Sequence, residues 1–365
     1  MKNVLRFIAS GKITVVCIFL LFILTFWGTM AQVHIGLYAA QERFFFSVFF
    51  LAMGFLPFPG AQGVLWVMFF NLLASAFVHS YRFKDWRFAG ILISHFGLLL
   101  YFVASFITMQ LSKESYVRLA EGASSNVSLS YADWEIASWQ DGEGTRQVTA
   151  FDLKGVKVGD VVDLDGFKIN VESYFKNCEA YSDPSKKDQY LNASGITVLV
   201  PKEMNKEREQ NTAGGTFKIV TPLGKSYPVI LFGDEPKTFS IKEDGKTHFF
   251  ALRRSRSPIP FTLKLKEFKA EFHPGTEQAK SYESLVEVIK PNARRDVRIF
   301  MNNPLREKDF TFYQSAYDTD RFGRKYSVFA VVQNAGQILP YIASFVVFLG
   351  LSLHFIMAAL LKKRI

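Results

Sequence analysis

Apolar positions along the chain follow two different rhythms. The first is continuous. Ile13 to Met30 carries no charged residue and is preceded by Lys2, Arg6 and Lys12. A basic start before an apolar run is also the form of a signal peptide. This run reaches the roughly 18 residues a helix needs to cross a bilayer. It also ends on the bulky Trp27-Gly28-Thr29-Met30 rather than on a small-x-small cleavage site. An uncleaved transmembrane helix is expected over 13–30. The same pattern predicts spans over 64–81 and 88–110, and a fourth over 338–361. Between the first two, 44–56 is apolar for only about 13 residues before Pro57 and Pro59, which predicts an interfacial or re-entrant segment rather than a span.

Basic residues fix an expected orientation. They flank the start of the first span, the 81–87 loop (Arg82, Lys84, Arg87) and the end of the chain (Lys362-Lys363-Arg364). The positive-inside rule assigns all three places to the cytoplasm. That requires four spans with both termini inside, and it puts 111–336 on the outer, periplasmic face of a bacterial inner membrane. The expected layout is a membrane region over 1–110, an extracytoplasmic domain over 111–336, and the fourth span with a cytoplasmic tail over 337–365.

In 111–336 the rhythm changes to period two. Phe167-Lys168-Ile169-Asn170-Val171, Phe261-Thr262-Leu263-Lys264-Leu265 and Asp296-Val297-Arg298-Ile299-Phe300 alternate, and Asp165-Gly166 and Asp244-Gly245 are hairpin turn signals. No helix-length apolar stripe interrupts them. The fold class expected is a membrane protein of four transmembrane helices with a large all-β, sandwich-like domain inserted between helices three and four, built as one sandwich or two packed β-modules. Charged, apolar-poor Lys202–Gln210 is expected to be a mobile loop.

Composition then falls into place. The 365 residues include 38 Phe, and the mean hydropathy of +0.11 averages two populations. The net charge of +10 divides between topology-setting flanks and the outer domain, which leaves nucleic acid without support. Two cysteines exclude a disulfide framework, and the lack of Cys-x-x-Cys excludes a zinc knuckle or dithiol site. Cys17 and Cys178 fall on opposite sides of the membrane and cannot pair. Nucleotide loops, a Gly-x-Ser-x-Gly elbow and a His-Glu-x-x-His pair are all absent from the sequence.

The informative residues are histidines within spans, because ionisable groups there are costly and mark function. His95 lies about 10 Å from the cytoplasmic end of its helix and His354 about 12 Å from the same side, at 1.5 Å per residue. At matched depth the two imidazoles are candidates to face each other as axial ligands of haem iron in a Phe-rich pocket. A hydrogen bond to a neighbouring helix is the alternative for each. His79 is read as interfacial, and His34, His248 and His273 as non-ligands. Arg253-Arg254-Ser255-Arg256, bounded by Pro258 and Pro260, is the densest basic cluster. It reads as a solvated turn or lipid-headgroup patch, or as a receiver of carboxylates such as haem propionates.

The order of parts resembles the ResB (CcsB) family of system II cytochrome c biogenesis proteins. The resemblance is carried by Gly28-Thr29-Met30-Ala31-Gln32, Gly36-Leu37-Tyr38-Ala39-Ala40-Gln41 and His95-Phe96-Gly97-Leu98-Leu99. It continues in Pro260-Phe261-Thr262-Leu263, Phe272-His273-Pro274-Gly275-Thr276, Tyr282-Glu283-Ser284, Phe312-Tyr313-Gln314-Ser315 and Gly336-x-x-Leu339-Pro340-Tyr341. It implies a subunit that carries haem outward with a CcsA (ResC)-type membrane partner and presents it to apocytochrome c kept reduced by a thiol–disulfide system. Haem is then cargo rather than a permanent cofactor, and the chain is not a complete enzyme alone. The tryptophan-rich motif of the partner is missing, so the unfused subunit is expected. The resemblance also implies that His95 is the haem histidine, with the opposite ligand supplied by the partner, ahead of His354. The rival readings are a di-histidine b-type electron carrier and a haem-free structural anchor.

Overall fold

The computed structural model describes residues 2–80, 88–140, 147–186, 189–233, 235–276, 279–320 and 323–362. The basic loop 81–87 and the terminal Lys363 and Arg364 lie outside them. The chain divides into two compact units, 1–113 with 308–310 and 333–365, and 114–307 with 311–332.

The first unit is helical. A short helix α1 (Lys2–Ile8) leads into α2 (Gly11–Ile35), followed by α3 (Leu37–Ala40), α4 (Ala61–Ser80), α5 (Ala89–Leu111) and α6 (Leu339–Lys362). Four of these helices are long and apolar enough to cross a membrane: Gly11–Ile35, Ala61–Val78, Ala89–Leu111 and Leu339–Leu360. The first is longer at both ends than the 13–30 expected, because Ser10 caps it by accepting from the Lys12 amide and its apolar face continues past Met30. Asn71 of α4, almost fully buried, ties the first helices to the bundle. Its side-chain amide donates to the Ile8 and Ser10 carbonyls at 2.5 and 3.0 Å, and its oxygen accepts from Thr14 Oγ1 at 2.7 Å. Interhelical hydrogen bonds of this kind are how apolar bundles use polar side chains.

The short apolar stretch before α4 does not form a span. Gln41–Phe45 is one π-helical turn, and β1 (Phe49–Ala52) pairs with β2 (Leu56–Pro59) in a hairpin. Its aromatic rings pack on α2: Trp27 lies 5.4 to 5.7 Å from Phe44, Phe50 and Phe58. The charge of Arg43 is absorbed locally by the Leu51 carbonyl and the rings of Phe44 and Phe50.

The second unit is antiparallel β. Its strands are β3 (Lys113–Ala120), β4 (Ser124–Gln140), β5 (Val148–Asp152), β6 (Val161–Leu164), β7 (Phe167–Phe175), β8 (Cys178–Tyr181) and β9 (Val198–Pro201). They continue with β10 (Gly214–Val220), β11 (Ser226–Phe232), β12 (Phe239–Glu243), β13 (Lys246–Phe272), β14 (Ala279–Lys290), β15 (Ala293–Phe300), β16 (Leu305–Glu307), β17 (Phe310–Thr319) and β18 (Lys325–Gln333). Four strands in the order β11-β10-β7-β6 face the first half of β13 and the second half of β4, with β12. Phe167, Ile169, Phe217 and Ile219 on one side meet Trp134, Ile136, Phe250 and Leu252 on the other in one buried core.

The second half of β13 belongs to another module, ordered β15-β14-β13-β4-β3-β18-β17-β16. Its ends come together, since Glu307 of β16 bonds Lys290 at 2.6 Å and Arg295 of β15 at 2.9 Å. Two modules therefore share two long strands. The changeover is marked by register shifts in the β13–β4 pairing at Arg254/Arg256 and at Pro258/Leu263. Proline lacks the ladder N–H, so a break in pairing there is what the sequence dictates.

Candidate functional site

On α5, at about 100° per residue, Gly90, Ser94, Gly97 and Ala104 fall on one face. All four are buried. This face meets α6 at backbone distance. A Cβ added to Gly90 would lie 2.5 Å from the His354 amide nitrogen, one on Gly350 would lie 2.5 Å from Ser94, and one on Gly97 2.8 Å from Val347. Small residues on both helices permit such an approach in an apolar solvent. The pairs Gly90–His354, Ser94–Gly350 and Gly97–Val347 also define the register, in which the two helices run antiparallel.

That register separates the two candidate histidines. His354 is level with Gly90, five residues or roughly 8 Å from the level of His95. Depths counted from the helix ends do not correspond, because the ends are not level: α6 continues about seven residues beyond the start of α5. His95 also lies well around the helix from the α6-facing side, whereas the backbone of His354 is within it. The structure does not bring the two imidazoles together across a shared space.

His95 is half-buried, and its Nδ1 is 2.8 Å from the Ile91 carbonyl oxygen one turn back. A carbonyl can only accept, so Nδ1 is the donor in this contact. A bond of this kind from one ring nitrogen is what orients a metal-ligating histidine. Among the described residues no group of three or more His, Cys, Asp or Glu could hold a metal ion. A lone imidazole suits haem, whose porphyrin supplies four iron ligands and leaves only axial positions to the protein.

The remaining histidines are placed elsewhere. Only the backbone of His79, at the end of α4, is described. The His248 ring is tilted against Phe167 at 4.6 Å, and its Nδ1 lies 3.3 Å from Gln140 Nε2. His273 turns the chain, its carbonyl accepting from Thr276.

The arginine cluster is not in a turn. It sits mid-strand in β13, where alternation sends neighbours to opposite faces. Arg253 Nε bonds Glu135 Oε1 at 2.8 Å, and Glu135 is only 5% exposed. Arg254 lies 4.2 Å from the Trp134 ring and donates to the Tyr131, Glu209 and Asn211 carbonyls at 2.6, 2.7 and 2.8 Å. The backbone N–H of Arg256 donates to Glu135 Oε2. Two of the three guanidinium groups thus serve the β unit itself. Arg254 also anchors the charged 202–210 segment expected to be mobile. That segment is further held where Asn177 donates to the Glu203 carbonyl and the Asn205 amide donates to Asn211.

Both cysteines are buried and unpaired with each other. Burial pushes the Cys178 thiol up to about 11, which keeps it protonated and unreactive at neutral pH.

Residues missed as a group are Ser284, Gln314 and Ser327. Ser284 Oγ is 2.7 Å from Gln314 Oε1 and 2.8 Å from Ser327 Oγ, and Gln314 Nε2 donates to Ser327 Oγ at 2.8 Å. Two segments that carry the resemblance, Tyr282-Glu283-Ser284 and Phe312-Tyr313-Gln314-Ser315, therefore meet in space. The Tyr282 hydroxyl also donates to the Ser315 carbonyl. Nearby, a cavity of about 620 Å³ is lined by Tyr282, Phe268, Phe300, Arg298 and Lys325, among others.

Comparison with known proteins bears on these same segments. Residues 231–338 match the ResB-like family, a stretch that contains β12 to β18, the Ser284–Gln314–Ser327 network and the lead-in to α6. Protein NrfI of Wolinella succinogenes is 24% identical over 304 residues, covering 80% of this chain and 29% of that protein. The chain thus spans less than a third of the length of the relative it matches. The chain is thus similar to the ResB-like family over 231–338, and it carries four long apolar helices together with an antiparallel β unit.

Proposed function

We propose that the chain is a haem-delivery subunit of a cytochrome c synthase complex in a bacterial cytoplasmic membrane. Similarity to the ResB-like family supports a role in cytochrome c maturation. In this reading both termini face the cytoplasm, and the β unit lies outside, where it receives apocytochrome c. Haem is cargo, held in the membrane by Nε2 of His95 and passed outward to be joined to the polypeptide. The observation that carries the reading is the Nδ1–H bond from His95 to the Ile91 carbonyl, which sets the ring for coordination through Nε2.

The second axial ligand is proposed to come from a membrane partner of the CcsA (ResC) type. The five-residue offset of His354 favours that source over a di-histidine site within this chain. The guanidinium groups of Arg253 and Arg254 bond within the β unit, which counts against a carboxylate-receiving role for either of them. Reduction of the apocytochrome is assigned to a separate thiol–disulfide system, since Cys178 is buried and protonated.

The test is haem content and absorbance of the purified chain, with and without the partner, for the native protein, His95→Ala and His354→Ala. Loss of bound haem in His95→Ala with retention in His354→Ala supports the reading. Haem unaffected by loss of His95 sinks it, and full haem retention by the isolated chain that is lost in either variant favours the electron-transfer alternative.

A further inference from the structure

In the second β module one strand stops short of its neighbour. The pairing of β15 with β14 runs from Ala293–Lys290 to Phe300–Glu283 and ends there. Asn302, with φ of +63°, turns the chain back, and the backbones of Phe300 and Asn303 bond each other. β14 nevertheless extends four residues further, Ala279–Tyr282, and stays paired with β13 as far as Phe272–Ala279. On its other side this stretch has no strand beside it among the described residues. Alternation fixes which groups are left over. The two-residue turn between Lys290 and Ala293 makes that pair hydrogen-bonded. Every second residue of β14 counted back from Lys290, Tyr282 included, therefore aims its N–H and C=O at the side that β15 vacates.

Across the opening, β17 is bare in the same way. The three-residue β16 covers only its beginning, whereas β17 continues to Thr319. Here the Tyr282 hydroxyl, donating to the Ser315 carbonyl at 3.0 Å, stands where the N–H of a neighbouring strand would. The cavity of about 620 Å³ opens at this vacated place, since Ser281, Tyr282 and Glu283 of β14 and Arg298, Phe300 and Met301 at the end of β15 all line it. Phe268 and Tyr282 in its lining are braced by the ring of Tyr317 at 5.4 and 5.5 Å. At its rim Phe300 and Met301 are 41% and 56% exposed, large apolar side chains that solvent alone does not favour. An unpaired strand edge beside a pocket is how a sheet takes up an extended peptide: main-chain bonds hold the backbone and the pocket takes a side chain. A small ligand in the cavity would leave the edge unpaired, whereas an added strand pairs it. Four residues at about 3.3 Å each give the edge a length of roughly 13 Å. Recognition through the backbone also suits a polypeptide that arrives unfolded.

We infer that Ala279–Tyr282 of β14 is a docking edge for the unfolded apocytochrome polypeptide, which adds as a strand in line with β15 and seats a side chain in the cavity. The inference rests on the reading of the β unit as the receiver of apocytochrome c, and its test separates the two. The full chain in lipid nanodiscs is mixed, under a reductant, with haem-free apocytochrome c, and amide hydrogen exchange is followed by mass spectrometry. Exchange across 279–283 is expected to slow at least roughly tenfold on mixing. Tyr282→Pro removes the outward N–H and is expected to weaken binding by a similar factor. Tyr282→Phe, which keeps that N–H, is expected to bind within about twofold of native. Photoreactive Phe300→benzoylphenylalanine is expected to capture the polypeptide, and the same change at Phe151, 40% exposed on the other module, is not. If Tyr282→Pro does not fold, exchange in the native chain and capture at Phe300 decide. Apocytochrome c that binds without slowing exchange over 279–283 and without capture at Phe300 overturns the docking edge and leaves the receiver reading standing. No binding at all removes both. Protection that grows with the concentration of the chain alone, with capture of a second copy at Phe300, overturns the inference in favour of self-association.

Discussion

The helical unit and the β unit solve the burial of polar and small groups in opposite ways. In the helical unit closeness comes from missing side chains: Gly90, Gly97 and Gly350 bring α5 and α6 to backbone contact, while the α4 side of α5 is left with a gap. In the β unit closeness comes from filling. Large side chains such as Phe167, Phe217 and Phe250 are wholly buried, and even an ion pair, Arg253–Glu135, is taken inside and bonded. The contrast teaches where each unit tolerates change. A filled core resists loss, a glycine seam resists addition, and a gap accepts both.

Four substitutions or titrations probe that contrast. Glu135→Ala has the largest expected effect, because it strands the largely buried Arg253 guanidinium and removes the acceptor for the Arg256 amide. A cost of about 3–5 kcal/mol is expected, read by denaturant unfolding of the β unit. A loss below about 1 kcal/mol would show that the pair is solvated, as at the exposed Lys266–Asp296 bridge. Next is Gly350→Leu, expected to cost about 3 kcal/mol, because its neighbours are backbone of α5 that cannot rotate away. Its check is thermal unfolding in nanodiscs, and an unchanged melting temperature would remove the seam from the account.

Titration of Cys178 comes third. Its pKa rises from 9.0 unfolded to about 11 folded. The unfolded chain therefore gives up its proton first, and the thiol's contribution is intact below about pH 9 and lost as pH climbs toward 11. Relative to Cys178→Ala, the native chain should lose stability in that window at up to about 1.4 kcal/mol per pH unit. A flat difference between the two would show an open thiol. The smallest effect belongs to Ser105→Leu in the gap between α4 and α5, expected to change stability by less than about 0.5 kcal/mol. A large loss there would mean that the gap is already part of a packed core.

The sequence carried the element types and order well, because a continuous apolar run and a period-two alternation are local properties. It carried the spatial relations poorly. The levels of His95 and His354 could not be compared from their helix ends, since α6 outruns α5 and only the glycine contacts set the register. Arg253 and Arg254 read as a basic patch because their partners, Glu135 and the Tyr131 and Asn211 carbonyls, are far away in the chain. The Ser284–Gln314–Ser327 network was equally hidden, although its segments were noticed separately. The spacing of Phe102, Phe106 and Met109 on one side of α5 is countable in the sequence, but only the neighbouring helix shows that these residues line a gap.

Axial ligation by His95 is the central claim, and imidazole rescue tests it most directly. The Soret spectrum of ferric haem bound to the full chain is recorded for the native protein and for His95→Ala, each with and without added imidazole. The account predicts that His95→Ala loses the imidazole-ligated spectrum and regains it when free imidazole enters the vacated position. Native-like spectra in His95→Ala without imidazole would contradict it.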